Sequence, residues 1–193
     1  QTKNDFLKSD YVRQALALAV NKEKIISEAF KSGGRIIDIP TLPGIEDNPD
    51  IKKYPYDPGA AATILEKNGW LMTSTTTADG ITQQVRKKKN WFLIITLTTV
   101  DQSEYVKTAE IIKESWEQIG VQTNLNIIDK SKILQDSIRP REYEVLIFGQ
   151  NLGIDPDPFA FWHSSQNEYP GLNLAIFSDK KVRQALNYAT NKK

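Results

Sequence analysis

Two apolar runs fix what this chain can become. "WFLIITLTTV" (91–100) is apolar on both faces at its start, the pattern of a central strand covered on each side. "VQTNLNIID" (121–129) alternates and reads as a strand with one wet face. Between them Ile111, Ile112, Ser115, Trp116 and Ile119 recur at helical spacing, predicting a helix over Ser103–Ile119 with Ser103 as its cap and Gly120 as its stop. Strand, helix, strand in this order is a βαβ pattern, which predicts parallel pairing of the two strands through a crossover. A short helix, Lys130–Ile138, then leads to Pro140, and "YEVLIFGQ" (143–150) reads as a third strand. The order strand, helix, strand, helix, strand predicts an α/β fold with a mixed sheet and flanking helices.

The N-terminal third is helical. Val12, Leu16, Ala19 and Val20 give one apolar stripe, with Ser9 or Asp10 as the cap. A second helix is predicted over Lys22–Phe30, capped by Asn21 and stopped by Gly33-Gly34. Pro40, Pro43, Pro49, Pro55 and Pro58 forbid a long regular element across the segment that follows. Asp57-Pro58 is a helix start, with a carboxylate for free N–H groups and a proline at the first helical position. Asn68-Gly69 ends that helix. "TSTTTADGITQQVRKKKN" reads as a polar hairpin turning at Asp79-Gly80. Its basic run, Arg86 to Lys89, reads as a solvated arm, with a phosphate patch as the alternative.

Composition removes several function classes. Lys and Arg number 25 against 24 Asp and Glu, a net charge of +1, which argues against a dedicated nucleic-acid or membrane-surface binder. There is no Cys and a single His, His163, so thiolate chemistry and two-histidine zinc motifs are excluded. No apolar run approaches the roughly 20 residues needed to cross a bilayer. A triad drawn from Ser164, His163 and Asp155 lacks a Gly-x-Ser-x-Gly elbow, and adjacent helix residues point apart. Asp155 and Asp157 are too close in sequence to face each other across a glycosidase cleft. No phosphate-cradling glycine loop is present. The residues imply no cofactor and no metal.

Four segments in order carry a family resemblance: "VRQALALAVNKEKI", "NPDIKKYPYDPGAAATILEKNGW", "TTVDQSEYVKTAEIIKESWEQIGVQTNLNIID" and "GQNLGIDPDPFAFWHSSQ". Together they resemble the extracellular solute-binding proteins of family 5, the peptide- and nickel-type binding proteins of ABC importers. The resemblance implies one lobe of a two-lobed fold of the periplasmic-binding-protein type, class II, with residues 1–193 forming a single lobe and its partner lobe absent. It further implies no enzymatic activity and an extracytoplasmic place, in a periplasm or lipid-anchored on the outer face of the cytoplasmic membrane. The implied partners are a small solute such as an oligopeptide, an ABC permease and the missing lobe, with no nucleic acid. Two other readings stand beside this one, a protein-interaction or structural module on the same lobe, and a hydrolase.

In open α/β sheets, ligands gather at the carboxyl ends of strands and at helix N-termini. Two stretches meet that condition. At "TTVDQSEY" the candidates are Thr98, Thr99 and Asp101; the other reading is an ordinary capped turn. At "GQNLGIDPDPFAFW" they are Gln150, Asn151, Asp155 and Trp162. Gln150 and Asn151 supply amides suited to a peptide backbone. Trp162 offers a stacking surface, although Phe159, Phe161 and Trp162 also fit a core, and Asp155 and Asp157 also fit helix caps. Gly149 and Gly153 let the backbone approach a ligand or another chain. Aligning Asp155-Pro156 with the family's Pro-containing step puts Leu152 where several peptide binders carry an Asp for the ligand's α-amino group. Asn151 or Asp155 then takes that place, or the solute is not a peptide.

"VRQALALAVNKE" at Val12 and "VRQALNYATNKK" at Val182 match at eight of twelve positions. Either two amphipathic helices meet similar demands, or a local duplication or a second tandem lobe begins at Val182. The chain is expected to be a piece of a longer protein.

Overall fold

The computed structural model describes residues 4–37, 53–76, 80, 82–149, 159, 163–166 and 170–173. The second VRQAL stretch and candidates Gln150, Asn151, Asp155 and Trp162 lie outside the described residues.

The chain opens with a 3-10 turn at Asp5–Lys8, then α1 (Asp10–Ala19) and α2 (Lys22–Glu28). α1 buries Val12, Leu16 and Ala19 of the expected stripe together with Ala15, whereas Val20 is the residue after the helix and only half-buried. The Asn21 side chain caps α2 by accepting from the Lys24 N–H at 2.9 Å. α2 ends sooner than the sequence predicts. Lys31 and Ser32 take left-handed φ values of 49° and 62° ahead of the glycine pair. The turn is closed by bonds from the Ser32 N–H to the Ile26 carbonyl and from the Gly33 N–H to the Phe30 carbonyl. Gly34 serves packing instead: a Cβ there would lie 2.8 Å from the Ile26 methyl.

α3 (Pro58–Lys67) begins as predicted, with Asp57 accepting from the Ala60 N–H at 2.8 Å. Gly69 ends it at φ +82°, a conformation that costs glycine little. The hairpin follows as β1 (Leu71–Thr76) and β2 (Thr82–Lys88), antiparallel in register Leu71 to Lys87 and Thr76 to Thr82. β3 (Trp91–Phe92) extends it into a three-stranded sheet ordered β1-β2-β3.

β4 (Ile94–Val100), α4 (Ser103–Gln118) and β5 (Gln122–Ile128) form the predicted crossover unit, with β4 and β5 parallel from Ile94–Gln122 to Val100–Ile128. β6 (Val145–Ile147) pairs parallel on the other side of β4. β4 is thus the central strand of a sheet ordered β5-β4-β6. The predicted helix before β6 shrinks to a five-residue π-helical turn, Leu134–Ile138.

The expected mixture of strand senses is divided between two sheets, and Leu93 is the joint. Its N–H donates to the Arg86 carbonyl of the antiparallel sheet, and its carbonyl accepts from the Gln122 N–H that opens the parallel one. One core spans both. Leu93, Ile95 and Leu97 meet Val12 and Leu16 of α1, Ala61 and Leu65 of α3, and Ala109 and Trp116 of α4. Full burial of each Leu or Ile contributes about 1.5–3 kcal/mol. The Trp116 indole donates to the Leu16 carbonyl at 3.1 Å, tying α4 to α1 across the core.

Arg86 departs most from expectation. It is no solvated arm: its side chain is 1% exposed. Its guanidinium donates to the Ile119 carbonyl at 2.6 Å, the Trp70 carbonyl at 2.8 Å and the Glu66 carboxylate at 3.2 Å. It closes the chain ends of α3 and α4 at once, where unsatisfied carbonyls gather. Lys87 and Lys88 instead lie over the rings of Phe92 and Tyr11.

Candidate functional site

The three parallel strands end together, at Val100, Ile128 and Ile147. Parallel strands make this convergence inevitable, and a crossover helix begins there. The Asp101 N–H donates to the Ile128 carbonyl at 2.8 Å, locking the β4 turn to the end of β5. Gln102 is the residue before α4, its carbonyl accepting from the Tyr105 and Val106 N–H groups.

The N-terminus of α4 supplies its own anion. Ser103 is the first helical residue, not the cap, and the Gln102 side chain makes no capping bond. The Glu104 carboxylate accepts instead from the Ser103 hydroxyl at 2.9 Å and the Gln102 amide at 3.4 Å. Its own backbone N–H, then these two donors, hold its pKa below the usual value. Asp129, where β5 ends, does the same locally. It accepts from the Ser131 hydroxyl and N–H, and those two bonds, the hydroxyl's first, lower its pKa.

Thr98 and Thr99 lie beneath this edge rather than on it, at 1% and 0% exposed. The Thr99 hydroxyl donates to the Ile147 carbonyl at 3.2 Å, and that of Thr98 accepts from the Asn126 amide at 3.4 Å. Their hydroxyls hold β6 and β5 to β4. A residue pair inside a central strand is shielded by both neighbours, which the polarity of "TT" does not reveal. Asp101 is exposed at the edge, as are Gln102, Asp129, Phe148 and Gly149. A second, smaller cluster of Val100, Ile133 and Ile138, with Tyr105, Ile128 and Leu146 against it, supports the edge from below.

Tyr105 and Glu104 carry no local sequence signal of a place at this edge. Tyr105 follows the predicted cap by two residues, and an amphipathic helix start gives no sign that its ring crosses to another strand. At Gly149, a Cβ would lie 1.8 Å from the Tyr105 hydroxyl oxygen, so the close neighbour is this chain's own phenol. A polar groove of about 390 Å³, lined by Gln83, Gln84, Lys113, Glu117, Gln122, Thr123 and Asn124, lies at the opposite end of β5. It holds none of the edge residues. Among the described residues, no group of His, Cys, Asp and Glu could hold a metal ion, and no helix is long and apolar enough to cross a membrane. His163 stacks on Phe159, ring centroids 4.4 Å apart, and its N–H donates to the Phe159 carbonyl.

The family model for bacterial extracellular solute-binding proteins, family 5 Middle, matches residues 1–171. The chain belongs to family 5 of the bacterial extracellular solute-binding proteins. Among its family 5 relatives is the oligopeptide-binding protein AppA of Bacillus subtilis, 28% identical over 98% of this chain and 35% of the relative. The nickel-binding periplasmic protein of Escherichia coli is 31% identical over 91% of this chain and 33% of the relative. Of solved family 5 structures, AppA in complex with a nonapeptide matches with a TM-score of 0.81 at 25% identity, over all of this chain and 38% of that one. NikZ of Campylobacter jejuni, in complex with Ni(L-His), matches with a TM-score of 0.74 at 25% identity, over 98% of this chain and 37% of that one. The chain spans about a third of the length of the curated relatives it matches.

Proposed function

We propose that residues 1–193 form one solute-capturing lobe of an extracytoplasmic binding protein that delivers a small solute, an oligopeptide first among candidates, to an ABC permease. The observation that supports this reading most is the TM-score of 0.81 to an oligopeptide-binding protein solved with its nonapeptide. In this reading the lobe performs no chemistry. It offers the carboxyl edge of the β5-β4-β6 sheet, and a second lobe closes over the solute as in other hinged binding proteins. Asp101, Gln150, Asn151, Asp155 and Trp162 contact the solute, while Thr98 and Thr99 hold the strand ends in register beneath them. The place of action is the periplasm or the outer face of the cytoplasmic membrane.

A lobe without its partner lacks half the contacts and cannot close, so it retains little affinity. Calorimetric titration with a random nonapeptide mixture tests the reading. The two-lobed protein should bind, and the 193-residue chain alone should bind at least about 100-fold more weakly, a difference of about 2.8 kcal/mol. Sub-micromolar binding by this chain alone contradicts the single-lobe reading, and no binding by the two-lobed protein removes the peptide.

A further inference from the structure

We propose that Tyr105 is a positioning residue: it fixes where the chain leaves β6, at Gly149, the residue that precedes the solute-side candidates Gln150 and Asn151 in sequence. The inference rests on the solute-binding reading for its purpose, and on geometry for its substance. Tyr105 stands on the first turn of α4, held by its N–H to the Gln102 carbonyl at 3.0 Å. Its side chain is half-buried and packs on the cluster of Val100, Ile133 and Ile138, together with Ile128 and Leu146. Those residues come from β4, β5, β6 and the π-helical turn with Ile133 just before it, so the ring has a rigid seat under the edge of the sheet.

From that seat the phenol reaches Gly149. A Cβ at 149 would lie 1.8 Å from the Tyr105 hydroxyl oxygen and 2.9 Å from the ring carbon that carries it. Real Cβ atoms do not approach so closely, so Gly149 is the residue that lets the ring lie against the backbone. Gly149 does not take up a left-handed φ, unlike Gly69, Gly80 and Gly120. What it provides is therefore space. Gly149 follows β6 by one residue beyond Phe148, and Gln150 comes next. The ring couples the turn that carries Asp101 to the strand end at Gly149, which precedes the candidates Gln150 and Asn151 in sequence. Neither a cap nor a core residue needs its outermost atom placed against an exposed glycine.

Hydrogen exchange at the amides of 148–150, together with nonapeptide-mixture affinity of the two-lobed protein, tests this. Tyr105→Ala and Gly149→Ala should each speed exchange there and weaken binding about tenfold, without speeding exchange elsewhere. Tyr105→Phe, which keeps the ring in its seat, should stay within about threefold of the parent. The double variant should be no worse than Tyr105→Ala alone, because removing the ring frees the space that the new methyl needs. Singles that leave 148–150 exchange unchanged, or effects that multiply in the double variant, overturn the proposal. If the parent does not bind the mixture, the peptide reading fails by itself, and the exchange pattern of the four proteins still decides the role of Tyr105.

Discussion

Arg86→Met is the sharpest probe of the fold. Methionine keeps most of the unbranched length and fills the same space, so the cavity contribution is small. What disappears is the donor set. The Ile119 and Trp70 carbonyls, bonded at 2.6 and 2.8 Å, lose their buried partner, and backbone carbonyls cannot be removed in compensation. Each unsatisfied buried acceptor costs about 1–3 kcal/mol. The Glu66 partner is 54% exposed, so water replaces the lost ion pair and its share is close to nothing. Against this stands the relief of no longer burying a cation, which often makes apolar replacements of whole buried ion pairs neutral. Here only one side is replaced, so the loss prevails, at about 2–4 kcal/mol. Urea unfolding of the 193-residue chain, followed by tryptophan fluorescence and circular dichroism, reads this as a lower midpoint at unchanged slope. Glu66→Gln in parallel should shift stability by less than about 0.5 kcal/mol. A cost for Arg86→Met below that value would refute the role of the donor set, and a Glu66→Gln cost as large as that of Arg86→Met would make the ion pair the principal contribution.

Two further perturbations follow from the same kind of geometry. Gly120 stands at φ +81° with a prospective Cβ 2.6 Å from the Met72 sulfur, so Gly120→Ala combines backbone strain with a clash and should cost more than about 1 kcal/mol in urea unfolding. Adding Met72→Ala should return only the part of the steric share that Met72 imposes, because the Arg86 Cγ would still lie 2.9 Å from the new Cβ, and full recovery would show that the left-handed backbone carries no cost. Glu104 has a folded pKa below its ordinary value, so its contribution is present above the unfolded pKa and fades as pH falls through the folded one. Glu104→Gln should therefore flatten the acid side of the stability–pH curve and leave neutral-to-alkaline slopes alone; an unchanged acid limb would show that the self-made cap does not form.

The sequence alone determined the elements whose causes are local. Asp57-Pro58, Asn21 and Asn68-Gly69 act within four residues of themselves, so the start of α2 and both ends of α3 were legible one residue at a time. The parallel pairing of β4 and β5 was equally legible, because a helix between two strands favours a crossover connection. Family membership followed from four motifs in order, and the match to residues 1–171 bears it out. Tertiary structure decided the rest. The partners of Arg86 lie 16, 20 and 33 residues away, so nothing in "RKKK" separates its buried first residue from the lysines after it. Leu93 changes sheets because one strand meets two neighbours of opposite sense, and Thr98 and Thr99 sink below the edge because β5 and β6 flank them. Tyr105 meets Gly149 only once β6 has paired beside β4. Periodicity and caps report what a residue does to its own turn. Where a polar or aromatic side chain spends its hydrogen bonds and its area is settled by chain that arrives from elsewhere.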